Sequence, residues 1–217
     1  MADVLYVVRY FRVVPPIPRL MVASFAVLTL AGAALMMLTA NNDGAVVEPI
    51  LVLQAFSAST GFAAPARRGY FDLLLARGQS RVQIAVLQWV IAVLPGLSAW
   101  MTLTALWSLF RAGGNPLLQA GTATAFLMAS TIPWAANIGL PRFAGAIGWL
   151  LLVCLMSAGG LSWPDAVQDV IFPVTLVGGD MAGRSGVVAV AVTLSLVSMA
   201  AALVWVHRTD VRLEAAQ

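Results

Sequence analysis

Ser185 stands in the run Gly183-Arg184-Ser185-Gly186, and the chain's single histidine, His207, follows it. A serine nucleophile needs its base within hydrogen-bond reach. At the ends of one helix, with a rise of 1.5 Å per residue, these two lie about 33 Å apart. That spacing excludes a catalytic pair, and Ser185 reads as a helix-start residue. Asp165 and Asp169 share a helical face if a helix carries them, yet two carboxylates alone are a weak cation site, so a solvated outer face is the expectation. Neither His207 nor the lone Cys154 has companions at metal-ligand spacing, and Cys154 sits in the apolar run Leu150 to Met156 as a structural thiol. All 12 basic residues are arginine. With no lysine, the chain has no P-loop of its own and no Schiff-base chemistry. One dense cluster remains, Arg67 to Arg81: Arg67, Arg68, Arg77, Arg81 and Asp72 surround the apolar run of Tyr70, Phe71, Leu73, Leu74 and Leu75. This is the pattern of a short amphipathic helix beneath a membrane, suited to docking and not to bond-making.

The elements that must position this cluster are membrane helices. The chain is 61% hydrophobic and only 10% charged, whereas about a quarter of the residues of a soluble domain are charged. A crossing takes about 20 apolar residues, so the length accommodates about six. The expected fold is therefore an all-α integral membrane protein, one domain over residues 1–217. It has six transmembrane helices, an N-terminal interfacial helix at 2–14 and an outer re-entrant segment at 162–186 before the last helix. The spans run from about Leu20 to Ala40, Val46 to Ala66, Val82 to Phe110 with a kink at Pro95-Gly96, Leu117 to Leu140 interrupted by Pro133, Phe143 to Leu161, and Val187 to Val206. In the second span Gln54, Ser57, Ser59 and Thr60 form a polar face that must turn toward protein or a water-filled cavity. The N-terminal stretch lacks the apolar core and cleavage site of a signal peptide and is expected to remain.

Arginine placement sets the orientation. With both termini cytoplasmic, Arg9, Arg12, Arg19, Arg67, Arg68, Arg77, Arg81, Arg142, Arg208 and Arg212 lie inside, and only Arg111 and Arg184 outside. Their scatter among hydrophobic spans gives no single basic face for nucleic acid, but it does suit contact with membrane lipid. No charge falls near the middle of any expected span, where ion-coupled carriers place theirs. The energy source is then expected to be a separate ATPase subunit acting on the inside segment 67–81.

Gly69-Tyr70-Phe71-Asp72-Leu73-Leu74-Leu75-Ala76-Arg77, followed by Ser80-Arg81, resembles the segment after the second membrane helix of type-2 ABC transporter permeases. The layout of the whole chain is similar as well. Two positions depart from the family pattern. Ala64, Pro65 and Ala66 stand where a glutamate is usual, which removes one polar contact. Gly78 stands where a proline is usual, which suggests a more flexible helix end. The resemblance implies a permease subunit in the bacterial inner (cytoplasmic) membrane, an exporter, paired with a second permease copy or a related permease. It implies docking on cytoplasmic P-loop ATPase subunits that hold the ATP and Mg, while this chain itself binds no cofactor and is no enzyme. Tyr70, Phe71 and Leu74 would anchor the docking helix behind Gly69, with Arg68, Asp72, Arg77 and Arg81 setting register through charge. Gln54, Ser57 and Thr60 are the candidates for lining a substrate path. A non-transporting membrane scaffold and an autonomous channel or carrier are the competing expectations.

Overall fold

The computed structural model describes residues 17–38, 43–60, 75, 76, 78, 80–110, 114–139 and 185–208. The helix expected at 2–14, the fifth span at 143–161 and the re-entrant segment up to residue 184 lie outside these residues. The described secondary structure is helical throughout. It comprises α1 (Ile17–Leu38), α2 (Asp43–Thr60), α3 (Arg81–Phe110), a 3-10 turn (Pro116–Leu118), α4 (Ala120–Gly139) and α5 (Ser185–Arg208).

Among the described residues two helices are long and apolar enough to cross a membrane: α3 with its 30 residues, and Val188–Arg208 of α5. Six spans were expected. In α1 and α2 the apolar stretches are shorter, Ala23–Leu38 and Pro49–Ala58. The helix at the fourth expected span, α4, is less apolar than α3 or α5, and packing explains why. It sits against α2, α3 and α5 and buries Thr122, Thr124, Ser130, Thr131 and Asn137 together with Trp134. A helix enclosed by other helices has no need of an apolar surface on every side. Small and hydroxylated residues suit it, because they let neighbours approach closely.

The core divides into two clusters that also report helix direction. One joins Met36 of α1, Ile50 of α2, Leu103 of α3, Phe126 of α4 and Ala191 of α5. The other joins Ala58 of α2, Ile84 of α3, Trp134 and Ile138 of α4, and Val206 of α5. Successive helices α2, α3 and α4 are therefore antiparallel, and α4 and α5 run parallel. Arg81 opens α3 and His207 and Arg208 close α5, so these basic residues all lie at the end of the second cluster.

Three hydroxyl groups inside this apolar bundle are satisfied locally, whereas Thr104 Oγ1 is buried without a partner among the described residues. Thr29 donates to Phe25 O (2.7 Å), Ser130 to Phe126 O (2.7 Å) and Ser195 to Ala191 O (2.9 Å), each one turn back along its own helix. At the opposite end the α3–α4 connection is tied down by side chains. Asn115 Nδ2 donates to Thr104 O (2.9 Å), its Oδ1 accepts from Leu117 N–H (3.0 Å), and Trp100 Nε1 donates to Leu117 O (2.7 Å).

Packing depth predicts a contrast between two aliphatic truncations. Ile50 is fully buried, whereas Val27 is 63% exposed. Ile50→Ala should cost about 3 kcal/mol and Val27→Ala less than about 0.5 kcal/mol, measured as loss of stability of the purified chain in detergent. Equal losses would mean that the α1–α2 packing is wrong.

Candidate functional site

Residues 67–81, expected from the sequence to dock a partner, lie between α2 and α3 in the chain, and the C-terminus of α2 and the N-terminus of α3 lie at the same end of the bundle as Arg208. Arg68, Gly69, Tyr70, Phe71, Asp72, Leu74 and Arg77 lie outside the described residues. The segment's C-terminal boundary is described, and two local devices build it. Leu75, at the end of the leucine run, packs against the Ala58–Ile84–Val206 cluster. Gly78 N–H then donates to Leu75 O at 3.0 Å, with Gly78 at φ +83°. A glycine in the left-handed region accepting this role is a common way to end a helical turn. It also accounts for the departure from the family pattern, since proline has φ fixed near −65° and no N–H to donate. Gly78 here is a defined stop.

Two residues on, α3 begins with a capping box. Ser80 N–H donates to Gln83 Oε1 at 2.8 Å, and Gln83 N–H donates to Ser80 Oγ at 3.2 Å. The Ser-x-x-Gln spacing satisfies two backbone donors that a helix start otherwise leaves open. Ser80, the serine of the Ser80-Arg81 pair, thus fixes where α3 starts, and Arg81 is half-buried at its first position. The Ser-x-x-Gln spacing is the signal in the sequence that marks this helix start.

The polar residues expected along a substrate path are distributed differently from one another. Gln54 is fully buried and Ser57 is buried. Thr60 ends α2, and its side chain lies outside the described residues. In this conformation Gln54 meets protein and no cavity: its Nε2 donates to Ala92 O at 2.8 Å and to Ser130 Oγ at 2.9 Å, with Val93 O at 3.4 Å. One side chain thereby links α2, α3 and α4. A further cross-link joins Trp89 Nε1 to Thr131 Oγ1 at 3.2 Å. Lower on α4, Trp134 Nε1 and both amide atoms of Asn137 are buried without a partner.

A cavity of about 300 Å³ lies between α1 and α3 toward the opposite end, lined by Ala33, Met36, Met37, Leu106, Trp107 and Phe110. Its lining is apolar and offers no charged group. Among the described residues no group of three or more His, Cys, Asp or Glu is placed to hold a metal ion.

Comparison with models of known protein families, with curated proteins and with solved structures finds no match.

Gly78→Ala places a side chain where φ is positive but no neighbouring atom crowds it; the cost should be backbone strain alone, about 1 kcal/mol. Ser80→Ala should cost a similar ~1 kcal/mol and speed hydrogen exchange in the first turn of α3, while exchange at the far end of α3 stays unchanged. Asn137→Leu should leave stability unchanged or raise it by about 1 kcal/mol, because it removes buried amide atoms that have no partner. A clear loss of stability in thermal unfolding would show that Asn137 is satisfied after all.

Proposed function

We propose that this chain is the membrane-spanning permease subunit of an ATP-driven ABC transporter, an exporter, whose energy comes from cytoplasmic P-loop ATPase subunits. The observation that carries the reading is the docking-type sequence of residues 67–81 at the basic end of the bundle, joining two antiparallel helices and closed by the Gly78 stop and the Ser80 cap. A segment held between two packed helices can pass a push to both. Its residues Arg68, Gly69, Tyr70, Phe71, Asp72, Leu74, Arg77 and Arg81 supply an apolar anchor with charged edges.

The interior supports the same reading. Buried polar positions among the described residues are Ser, Thr, Asn and Gln, and none is ionisable. A carrier driven by protons or metal ions would place a charge there. The apolar helices α3 and α5 fit a bilayer, and the basic residues gathered at one end fit a cytoplasmic face. A second permease copy, or a related chain, completes the translocation unit. ATP binding by the partner closes the nucleotide-binding pair, moves the docking segments and switches the permease between its two open faces.

The experiment is a pull-down of the tagged chain from its native membrane in mild detergent, beside the Asp72→Arg, Leu74→Asp double variant. The expected result is co-purification of a soluble P-loop ATPase with the wild type and at least a tenfold loss with the variant. If the wild type brings down no ATPase under conditions that preserve other complexes, the permease reading fails. Transport by the purified chain alone in liposomes without ATP would instead establish an autonomous carrier.

A further inference from the structure

Pro95 interrupts the backbone ladder of α3. It has no N–H for the carbonyl one turn earlier, and its ring crowds that turn, yet α3 continues through it to Phe110. The carbonyl that loses its donor is Ile91 O, four residues back. One and two residues further on, Gln54 of α2 brings a donor to the same stretch of backbone: its Nε2 reaches Ala92 O at 2.8 Å and Val93 O at 3.4 Å.

The proton directions are fixed by chemistry. Ser130 has one hydroxyl hydrogen, and it is spent on Phe126 O at 2.7 Å, so Ser130 Oγ can only accept from Gln54 at 2.9 Å. Backbone carbonyls also only accept, so the amide nitrogen must face all these groups, and Oε1 must face away. Oε1 lies against Gly96: a Cβ there would overlap Oε1 and Cδ and stand 3.1 Å from Cγ. Gly96 thus leaves the space that the end of the Gln54 side chain occupies. Gly96 clears the space, Gln54 fills it, and Ala92 O and Ser130 Oγ hold it there.

We infer that Gln54, Gly96 and Ser130 form a clasp that makes α2, α3 and α4 move as one body, so that a push on the docking segment is transmitted to the bundle interior. This rests on the docking reading above. The clasp is well placed for the task, since Gln54 lies six residues before the end of α2, about 9 Å along the helix axis. The docking segment pulls on the end of α2 and the start of α3. Without a cross-link near that end, the two helices would splay and the motion would dissipate before it reached α4. Gln54 is a positioning residue in this scheme, with no contact to nucleotide or substrate required.

The test has two readouts. In the isolated full-length chain, thermal midpoints are compared for Gly96→Ala, Gln54→Ala and the double variant. Gly96→Ala should lower the midpoint by about 5 °C, and adding Gln54→Ala should restore at least half of the loss, because alanine at 54 removes the atoms that the new Cβ meets. Additive losses would overturn the clasp. If Gly96→Ala alone fails to fold, recovery of a folded double variant is the same rescue, and its absence the same refutation.

The second readout uses the complex with its ATPase. Gln54→Met keeps the side-chain volume but removes the donor. It should retain ATPase co-purification and change ATP turnover of the complex at least threefold, and Ser130→Ala should change turnover in the same direction. Rescue with unchanged turnover would leave a structural contact and overturn the transmission role. Failure of the wild type to recover any ATPase would sink the docking reading and transmission together, whereas the rescue in the isolated chain decides separately whether the clasp exists.

Discussion

A buried amide donor that cannot reach water has to find an acceptor on protein, and in this molecule one such donor organises three helices. Gln54 is fully buried in α2, and both of its N–H groups end on other helices, on Ala92 of α3 and Ser130 of α4. Leaving a group of this kind unpaired costs about 1–3 kcal/mol. The lateral position of α2 is therefore not free: it must stand where Ala92 O and the side-chain-free surface of Gly96 are available together. Apolar packing above and below this point, around Leu103 and around Trp134, then has a fixed register to work from. Apolar contact alone specifies register weakly between membrane helices, because lipid tails are as apolar as leucine.

The same node makes sense of helix identity. α3 is apolar enough to face lipid along much of its length and carries Pro95 inside it. α4 is enclosed and carries hydroxyls, two of which bond back to its own backbone, Thr124 to Ala120 O at 2.8 Å and Ser130 to Phe126 O at 2.7 Å. Not all of its polar groups are so served. Trp134 Nε1 and the Asn137 amide remain unpaired within the cluster at the basic end. Gln54 Oε1 is likewise buried without a partner among the described residues, so at Ser130 it is the donor side of Gln54 that holds α4.

How much of this was legible in the sequence depends on the range of the interaction. Apolar runs ended by turn residues located α3 and α5 closely: spans expected at Val82–Phe110 and Val187–Val206 are helices at Arg81–Phe110 and Ser185–Arg208. The second span was expected to reach Ala66, and its helix is described to Thr60, with residues 61–66 outside the described residues. Pro133 suggested an interruption, yet α4 runs on through it, and Pro95, where a kink was expected, also lies inside its helix. The capping box at Ser80 and Gln83 was visible as a local spacing. The destination of Gln54 was not. A polar face on a span implies burial toward something, but only the fold reveals that the something is the backbone of Ala92 in α3, 38 residues away in sequence. Gly96 carries the same lesson: read locally it marks a kink, and read in three dimensions it is the space that Gln54 requires.

The clasp is neutral, and that property matters for a part that must move. An ion pair in the same place would bind more strongly, but separating or rearranging it would expose charge to a low-dielectric interior, at an effective cost of several kcal/mol per ion. Neutral amide and hydroxyl bonds contribute roughly 1 kcal/mol each. They are directional enough to set register and weak enough to be re-formed as helices shift. Among the described residues the buried polar groups are all of this neutral kind, while the basic residues Arg81 and Arg208 stay at one end of the bundle. Charge among these residues is thus kept at one end, and the interior is left with bonds that resist shear without trapping one conformation.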